Sequence, residues 1–313
     1  MKLRVDWKVD FRFMGTNQTK HTKRLWWIIG LLALPFSVLI AASPQKVEKT
    51  WLFQTNTSPR ISLSNLTGHV VVRGWDKAQV RALCATTSPQ VTIDTDPLPT
   101  IGSTDKIHFA TRVMDPTLTG PSEMVDYLLD VPLDSSVEIR NRQGSVQIQK
   151  LLGDTWVESV GGDVSVTDSG GHLAVRTVGG TIEIVRCSGR IETSSITGNL
   201  HFVSPTSSKL RGTTTSGKIT YEGDFAPGGD YVLSVYSGDM DIICPPSSSF
   251  ELNAKSLRGK VVTDPEFSLI PKRRPGNPPS GSSAVFGSHN SGTAMVELTS
   301  FSGSIHIIPQ PFK

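Results

Sequence analysis

Cysteine is scarce in this chain and scattered, with only Cys84, Cys187 and Cys244 present. No CxxC pair occurs, and no cluster of His or acid lies near them at metal-ligand spacing, which argues against a zinc-held fold. Free Cys is among the most buried residue types, so three small core side chains are expected. An exported domain would also permit one disulfide and one free thiol. Aromatic residues make up only 7% of the sequence. An excess of one charge is lacking too: 31 Lys and Arg face 28 Asp and Glu, for a net charge of +3. The basic residues gather partly at the two ends, and nothing in that balance calls for nucleic acid as a partner. Helical periodicity is missing after residue 42, whereas Gly, Ser and Thr are plentiful, as short strands joined by tight turns require.

One long apolar run is present. Residues 25–42, LWWIIGLLALPFSVLIAA, carry no charge and follow Lys20, Lys23 and Arg24. Eighteen residues sit at the short limit for crossing about 30 Å of hydrocarbon, and the basic side should stay in the cytoplasm. Ala41, Ala42 and Ser43 also offer a signal-peptidase site. A cleaved signal peptide and a retained single-pass anchor therefore stand side by side. The expected division is a cytoplasmic basic n-region at 1–24, the hydrophobic helix at 25–42, a polar spacer at 43–50 and one β-repeat domain at 51–313. In the last of these, the Pro-, Gly- and Ser-rich stretch 271–283 reads as a mobile loop.

Within that domain, RISLSNLTGHVVVRGWDK (60–77) alternates apolar and polar residues on both sides of Gly68. Val91–Asp94, Ile107–Val113 and Val125–Val131 are further strand candidates, separated by loops at 95–106 and 114–122. From Val137 to about Thr263 a pattern recurs as VGGDVSV, VGGTIEI, ITGNLHF and TSGKITY, and LTSFSGSIHI supplies a final copy. Glycines 162, 180, 198 and 217 fall 18, 18 and 19 residues apart, with a weaker series at 153, 171 and 189 between them. Such a period is the mark of stacked units that each bury a face they could not bury alone.

Aligning the copies gives apolar-x-Gly-x-apolar-x-apolar. Positions two and four after the glycine hold Val164/Val166, Ile182/Ile184, Leu200/Phe202, Ile219/Tyr221, Met240/Ile242 and Ile305/Ile307. Two before it stand Leu66, Val160, Val178, Cys187, Ile196, Tyr236, Leu257 and Phe301. Strict alternation assigns all of these to one interior face. The expected fold is all-β, a β-solenoid or roll of about nine-residue strand–turn repeats, with an antiparallel β-sandwich as the alternative.

ISLSNLTGHVVVRGWDKAQV, VDYLLDVPLDSSVEIRNRQGSVQI and the run of G-x-[VIL]-x-[VIL] copies resemble the bacterial DUF4097 family, adhesin-like proteins with β-strand repeats. The resemblance spans roughly residues 55–310, with Gly74-Trp75-Asp76 and Val131-Pro132 as its most particular features. It implies an envelope-associated β-repeat fold and brings no catalytic residue.

Little chemistry converges in the sequence. Stacked coils would align Gln147, Ser165, Glu183, His201, Thr220 and Asp241 in one outward column. Ser165, Glu183 and His201 lie in the wrong order for a nucleophilic triad, because Glu183 separates the Ser from the His by two coils, about 9.6 Å. Asp163 and Glu183 could approach, but their neighbours read as an ordinary solvent face. The GGD at 161–163 does not recur as a calcium nonapeptide. His69, His108, His172, His289 and His306 share no spacing and read as surface or edge residues. Trp156 and the pair Trp75/Tyr127, taken as outward-facing, are the recognition candidates, since an exposed ring can stack on a sugar or fill a pocket. The KRR at 272–274 could touch anionic lipid or polymer.

No catalytic, cofactor-binding or metal-binding residue is assigned. The expectation is a non-enzymatic cell-envelope protein whose β-repeat surface binds a protein or glycan. It would be anchored in the inner membrane through residues 25–42, or secreted if they are cleaved. A carbohydrate-active solenoid enzyme and an envelope signalling or assembly accessory protein, with residues 1–24 meeting a cytoplasmic partner, are the alternatives.

Overall fold

The computed structural model describes residues 47–96, 103–114, 124–271 and 282–310. The n-region at 1–24, the apolar run 25–42, the first part of the spacer and most of the 271–283 loop lie outside the described residues, as do 97–102 and 115–123. Every regular element described is a β-strand, and 24 strands join in one mostly parallel sheet that winds without closing.

Each coil contributes a longer strand and, past a glycine corner, a shorter one. The longer strands are Ser136–Gln143, Thr155–Gly161, His172–Thr177, Arg190–Ser195, Lys209–Ser216 and Asp230–Ser237. Their shorter partners are Val146–Gln149, Val164–Thr167, Ile182–Val185, Leu200–Val203, Ile219–Glu222 and Met240–Cys244. Val164 lies beside Val146 on one side and Ile182 on the other, both in parallel, so the sequence period becomes the step from rung to rung. That is a β-solenoid, and parallel pairing rules out the antiparallel sandwich.

Chain order and spatial order part company at both ends. Arg60 to Trp75 occupies a rung next to 136–149, and the later residues 103–113 and 125–132 form the rung outside it. At the other end, 294–309 slots against 230–244, and the earlier residues 250–263 lie beyond. Antiparallel strands then cover the outer rungs: Val91–Asp96 and Gln79–Thr86 at one end, Ser283–His289 at the other. A solenoid end presents unpaired N–H and C=O groups that would recruit another chain, and these covers blunt it. The first strand begins at Val47 and runs back into the stretch read as a spacer, where Val47–Gln54 pairs with Gln79–Thr86.

The residues two and four after the corner glycines are buried as expected, from Val70 and Val72 through Ile305 and Ile307, except after Gly259 in an outermost rung, where Val261 and Thr263 are half-exposed. The position two before the glycine is not. Val160, Val178, Ile196 and Tyr236 are 54, 45, 52 and 57% exposed, and Leu66, Leu257 and Phe301 are half-exposed; of the set only Cys187 is buried. Alternation does not pass through the glycine: Gly162 and Gly180 take φ of 108° and 96°, a corner that resets the phase.

The interior place is taken instead by the residue three before the glycine, which is small and polar in most coils: Asn141, Ser159, Thr177, Ser195, Thr214 and Ser256 are all buried. Their side chains bond the corner backbone. Ser195 Oγ accepts from Gly198 N–H at 2.8 Å, Thr214 Oγ1 donates to Gly198 O at 2.9 Å, and Ser256 Oγ donates to Gly303 O at 2.7 Å. Each satisfies turn groups that would otherwise be buried unpaired.

The core ends in an aromatic cluster of Tyr221, Phe225, Tyr231, Phe250 and Phe267, with ring centroids 4.9 to 6.1 Å apart along its contacts. His289 belongs to it, buried against Phe250 and Phe267 with Nε2 2.8 Å from Pro246 O, rather than at the surface. All three cysteines are buried and free.

The inside and outside of the shorter strands can be checked by substitution. Val164→Asp buries a carboxylate with no partner and should abolish the folded state. Ser165→Lys, one residue on and facing out beside Glu183, should move stability by no more than about 0.5 kcal/mol. Urea midpoints that fall equally for both would refute the assigned faces.

Candidate functional site

The column foreseen on the short-strand face forms. Gln147, Ser165, Glu183, His201, Thr220 and Asp241 are successive register partners, and the ladder extends to His306. Its polar groups neutralise one another. Ser165 Oγ donates to Glu183 Oε2 at 3.2 Å, while His201 sits 4.0 Å from Glu183 and 3.1 Å from Glu222. The Ser and the His thus meet different oxygens or different carboxylates and never each other. Asp163 accepts from Thr181 N–H at 2.7 Å and is engaged with the next rung rather than with Glu183.

Asp241 is the most enclosed carboxylate of the column. Burial opposes its charge, but hydrogen bonds from Lys218 at 2.5 Å and His306 at 2.9 Å outweigh that and hold the carboxyl below its usual range. At the second corner of each coil, Lys150, Asp168, Arg186 and Ser204 repeat a left-handed φ of 47–57°. There a fork from Arg186 to Asp168 at 2.7 and 2.9 Å lowers the Asp168 pKa. These are ladders that hold rungs together.

The other face offers more. Resetting the phase at the corner leaves an apolar ridge along one margin of the long-strand face: Val160, Val178 and Ile196 in successive coils, then Thr215, then Tyr236 and Phe301. Tyr236 and Phe301 stack with centroids 4.5 Å apart and planes 5° from parallel, and Arg258 lies 5.0 Å over the Phe301 ring. Two grooves follow the ridge. One, of about 600 Å³, is lined by Arg140, Glu158, Val160, Arg176, Val178 and Ile196; the second, of about 350 Å³, lies among Thr213, Thr215, Ser234, Tyr236, Thr299 and Phe301. A third groove of about 590 Å³ opens across the same face around Trp156, Glu138, Asp154 and His172.

Of the aromatic candidates, Trp156 is half-exposed on this face with the Arg176 guanidinium 4.9 Å above it. Tyr127 is a correction: it is buried, its hydroxyl 2.6 Å from Thr111, because strand Val125–Pro132 turns that parity inward. Trp75 is held by Gln79 O at 2.7 Å with Lys77 and Arg81 beside its ring, so the expected pair does not form a site. The KRR at 272–274 lies outside the described residues. Period-two alternation hides the ridge, because it assigns these residues to the core. The signal that would have found it is the Ser, Thr or Asn three before the glycine, which claims the interior place.

The fold and its surface define a capped β-solenoid with an apolar ridge and shallow grooves along one face. Among solved structures, the chain is similar to a putative adhesin from Bacteroides fragilis NCTC 9343, at 12% identity over 85% of this chain and 99% of that one, with a TM-score of 0.46. It is also similar to a putative cell adhesion protein from Clostridium sporogenes ATCC 15579, at 9% identity over 86% and 100%, with a TM-score of 0.27. At those values the fold assignment rests on this chain's own ladder. No protein-family model matches the chain, and no curated protein matches it.

Proposed function

We propose that this chain is a DUF4097-like cell-envelope protein without catalytic activity, exported by residues 25–42, whose long-strand face binds another macromolecule. One observation carries the reading: large apolar side chains at Val160, Val178, Ile196 and Tyr236 stand about half exposed in a line. Soluble proteins rarely leave a contiguous apolar strip uncovered unless a partner covers it. The side chains beside the ridge include several hydroxyls and arginines, which suit a polar rim around an apolar centre. The acids, hydroxyls and histidines of the opposite face pair along the rungs instead of converging on a cleft, which favours presentation of a surface over a reaction.

A photo-crosslinking residue at 178 in the full chain, expressed in intact cells, should trap an envelope component, and the same residue at 165 should not. Ile196→Lys should abolish the crosslink. Equal capture from 165 and 178, or capture from neither, would defeat the surface reading. Protease added outside spheroplasts should digest the β domain; its protection there would defeat export.

A further inference from the structure

The geometry points to a neutral-saccharide site in the notch of the ridge at Thr215, with the Tyr236 ring as its stacking platform. This deepens the surface reading and rests on it. Tyr236 and Phe301 are register neighbours in adjacent rungs, between the pairs Val235 beside Ser300 and Ser237 beside Ser302, and they stack nearly parallel at 4.5 Å. That distance matches the rung spacing of about 4.8 Å, so the ring planes lie across the solenoid axis. One face of Tyr236 is covered by Phe301, itself backed by Arg258. The other looks along the axis over Thr215 towards Ile196, and the residue is 57% exposed.

Thr215 is the one small side chain in this stretch of the ridge. Ile196 and Tyr236 stand two rungs apart, about 9.6 Å, across it. A pyranose ring laid against an aromatic face sits one van der Waals contact away, and the gap accepts one. Adjoining the notch, a groove along Tyr236 and Phe301 presents the Thr213, Thr215, Ser234 and Thr299 hydroxyls, with Lys255 as its only charged lining residue. A surface of hydroxyls that donate and accept, with no carboxylate lining it, suits a ligand rich in hydroxyls and without charge. Its apolar C–H face would meet the ring. The groove, of about 350 Å³, meets the notch at Thr215 and Tyr236 and runs on past Phe301, with room for one or two further sugar units. The stack of Phe301 and Arg258 fixes the Tyr236 ring before binding, so little freedom is lost when the sugar arrives.

The test uses the full chain in detergent micelles with cellotetraose, xylotetraose and chitotetraose as probes, followed by calorimetry and by protection of the Tyr236 ring protons in NMR. At least one tetrasaccharide should bind, and Tyr236→Ala should weaken it about tenfold or more. Thr215→Tyr, which fills the notch and keeps the platform, should abolish binding, and Tyr236→Phe should retain it. Circular dichroism and melting of each variant check that the coil persists. No binding of any of the three sugars overturns the proposal. Binding that survives both Tyr236→Ala and Thr215→Tyr overturns it as well, placing the sugar elsewhere. If sugars fail while the crosslink from residue 178 forms, this inference falls and the surface reading stands. If neither succeeds, both fall.

Discussion

Gly180→Ala should destabilise the β domain by about 4 kcal/mol or more, a size reserved for a short list of structural faults. Two effects add. Gly180 has φ of 96°, where a Cβ strains the backbone, and the added carbon would lie 2.3 Å from Gly162 O and 2.6 Å from its carbonyl carbon. Those atoms are backbone of the neighbouring rung and cannot swing aside. The rung cannot retreat either, because its own glycine meets the next one: an added Cβ at Gly162 would meet Gly144 O at 2.4 Å, and at Gly198 it would meet Gly180 O at 1.8 Å. The corner is therefore a continuous column in which each coil packs backbone against backbone.

Gly228→Ala is the control. Gly228 also has a left-handed φ, 71°, but nothing lies within 4 Å of the added carbon, so only the conformational cost of about 1 kcal/mol remains. Guanidinium unfolding of both variants measures the difference. Losses of similar size would mean that strain at one residue, and not the stacked corner, makes these glycines necessary.

That column explains why the coil was legible in the sequence. Glycine at a fixed interval is the direct imprint of one rung on the next, and the pairs Val164/Val166 and Ile182/Ile184 follow it into the core. The margin before the glycine was not legible by alternation, since period-two reasoning holds only within a strand and the corner breaks the strand. Val178 and Val164 are both valines in apolar-polar runs, and only the buried Thr177 and Ser159 between strand and corner separate outside from inside. Nor could the exchange of rungs at the two ends be read. The copy at 301–307 has the same local pattern as the copy at 236–242, and parallel pairing is decided by which strand reaches a neighbour in space. The strands that cap the solenoid, Gln79–Thr86, Val91–Asp96 and Ser283–His289, look like any other strands, so their antiparallel sense followed from no local signal. Of the candidate site, Trp156 is legible from its type alone, whereas alternation places Tyr236 and Phe301 on the wrong side.

Alkali should unfold this domain sharply, at pH values where an ordinary protein of its size persists. Burial pushes the Cys84 and Cys244 thiols up from 9.0 to about 12 and raises Cys187 as well. Burial likewise raises the hydroxyls of Tyr127, Tyr221 and Tyr231 above their ordinary value. For an acid whose pKa is higher folded than unfolded, the stability is fully present below the unfolded value. It is lost as pH rises from that value through the folded one, because only the unfolded chain can ionise. At 1.36 kcal/mol per unit, each of Cys84 and Cys244 forfeits about 3 kcal/mol between pH 7 and pH 11, nearly all of it above pH 9. The two thiols together remove an amount comparable with the whole stability of a typical domain, about 5–15 kcal/mol, and the tyrosines add to it above pH 10. Tyrosinate absorbance at 295 nm should therefore stay small for the three core tyrosines until the circular dichroism collapses, and the two signals should then move together. Ellman's reagent at pH 8 should find no thiol in the native chain and three after denaturation. Cys84→Ala separates charge from packing. Its cavity cost is the same at every pH, so the difference in unfolding free energy between pH 7 and pH 10.5 should shrink by about 2 kcal/mol relative to the parent. An unchanged difference would mean that this thiol ionises in place, with water already reaching the interior of the coil.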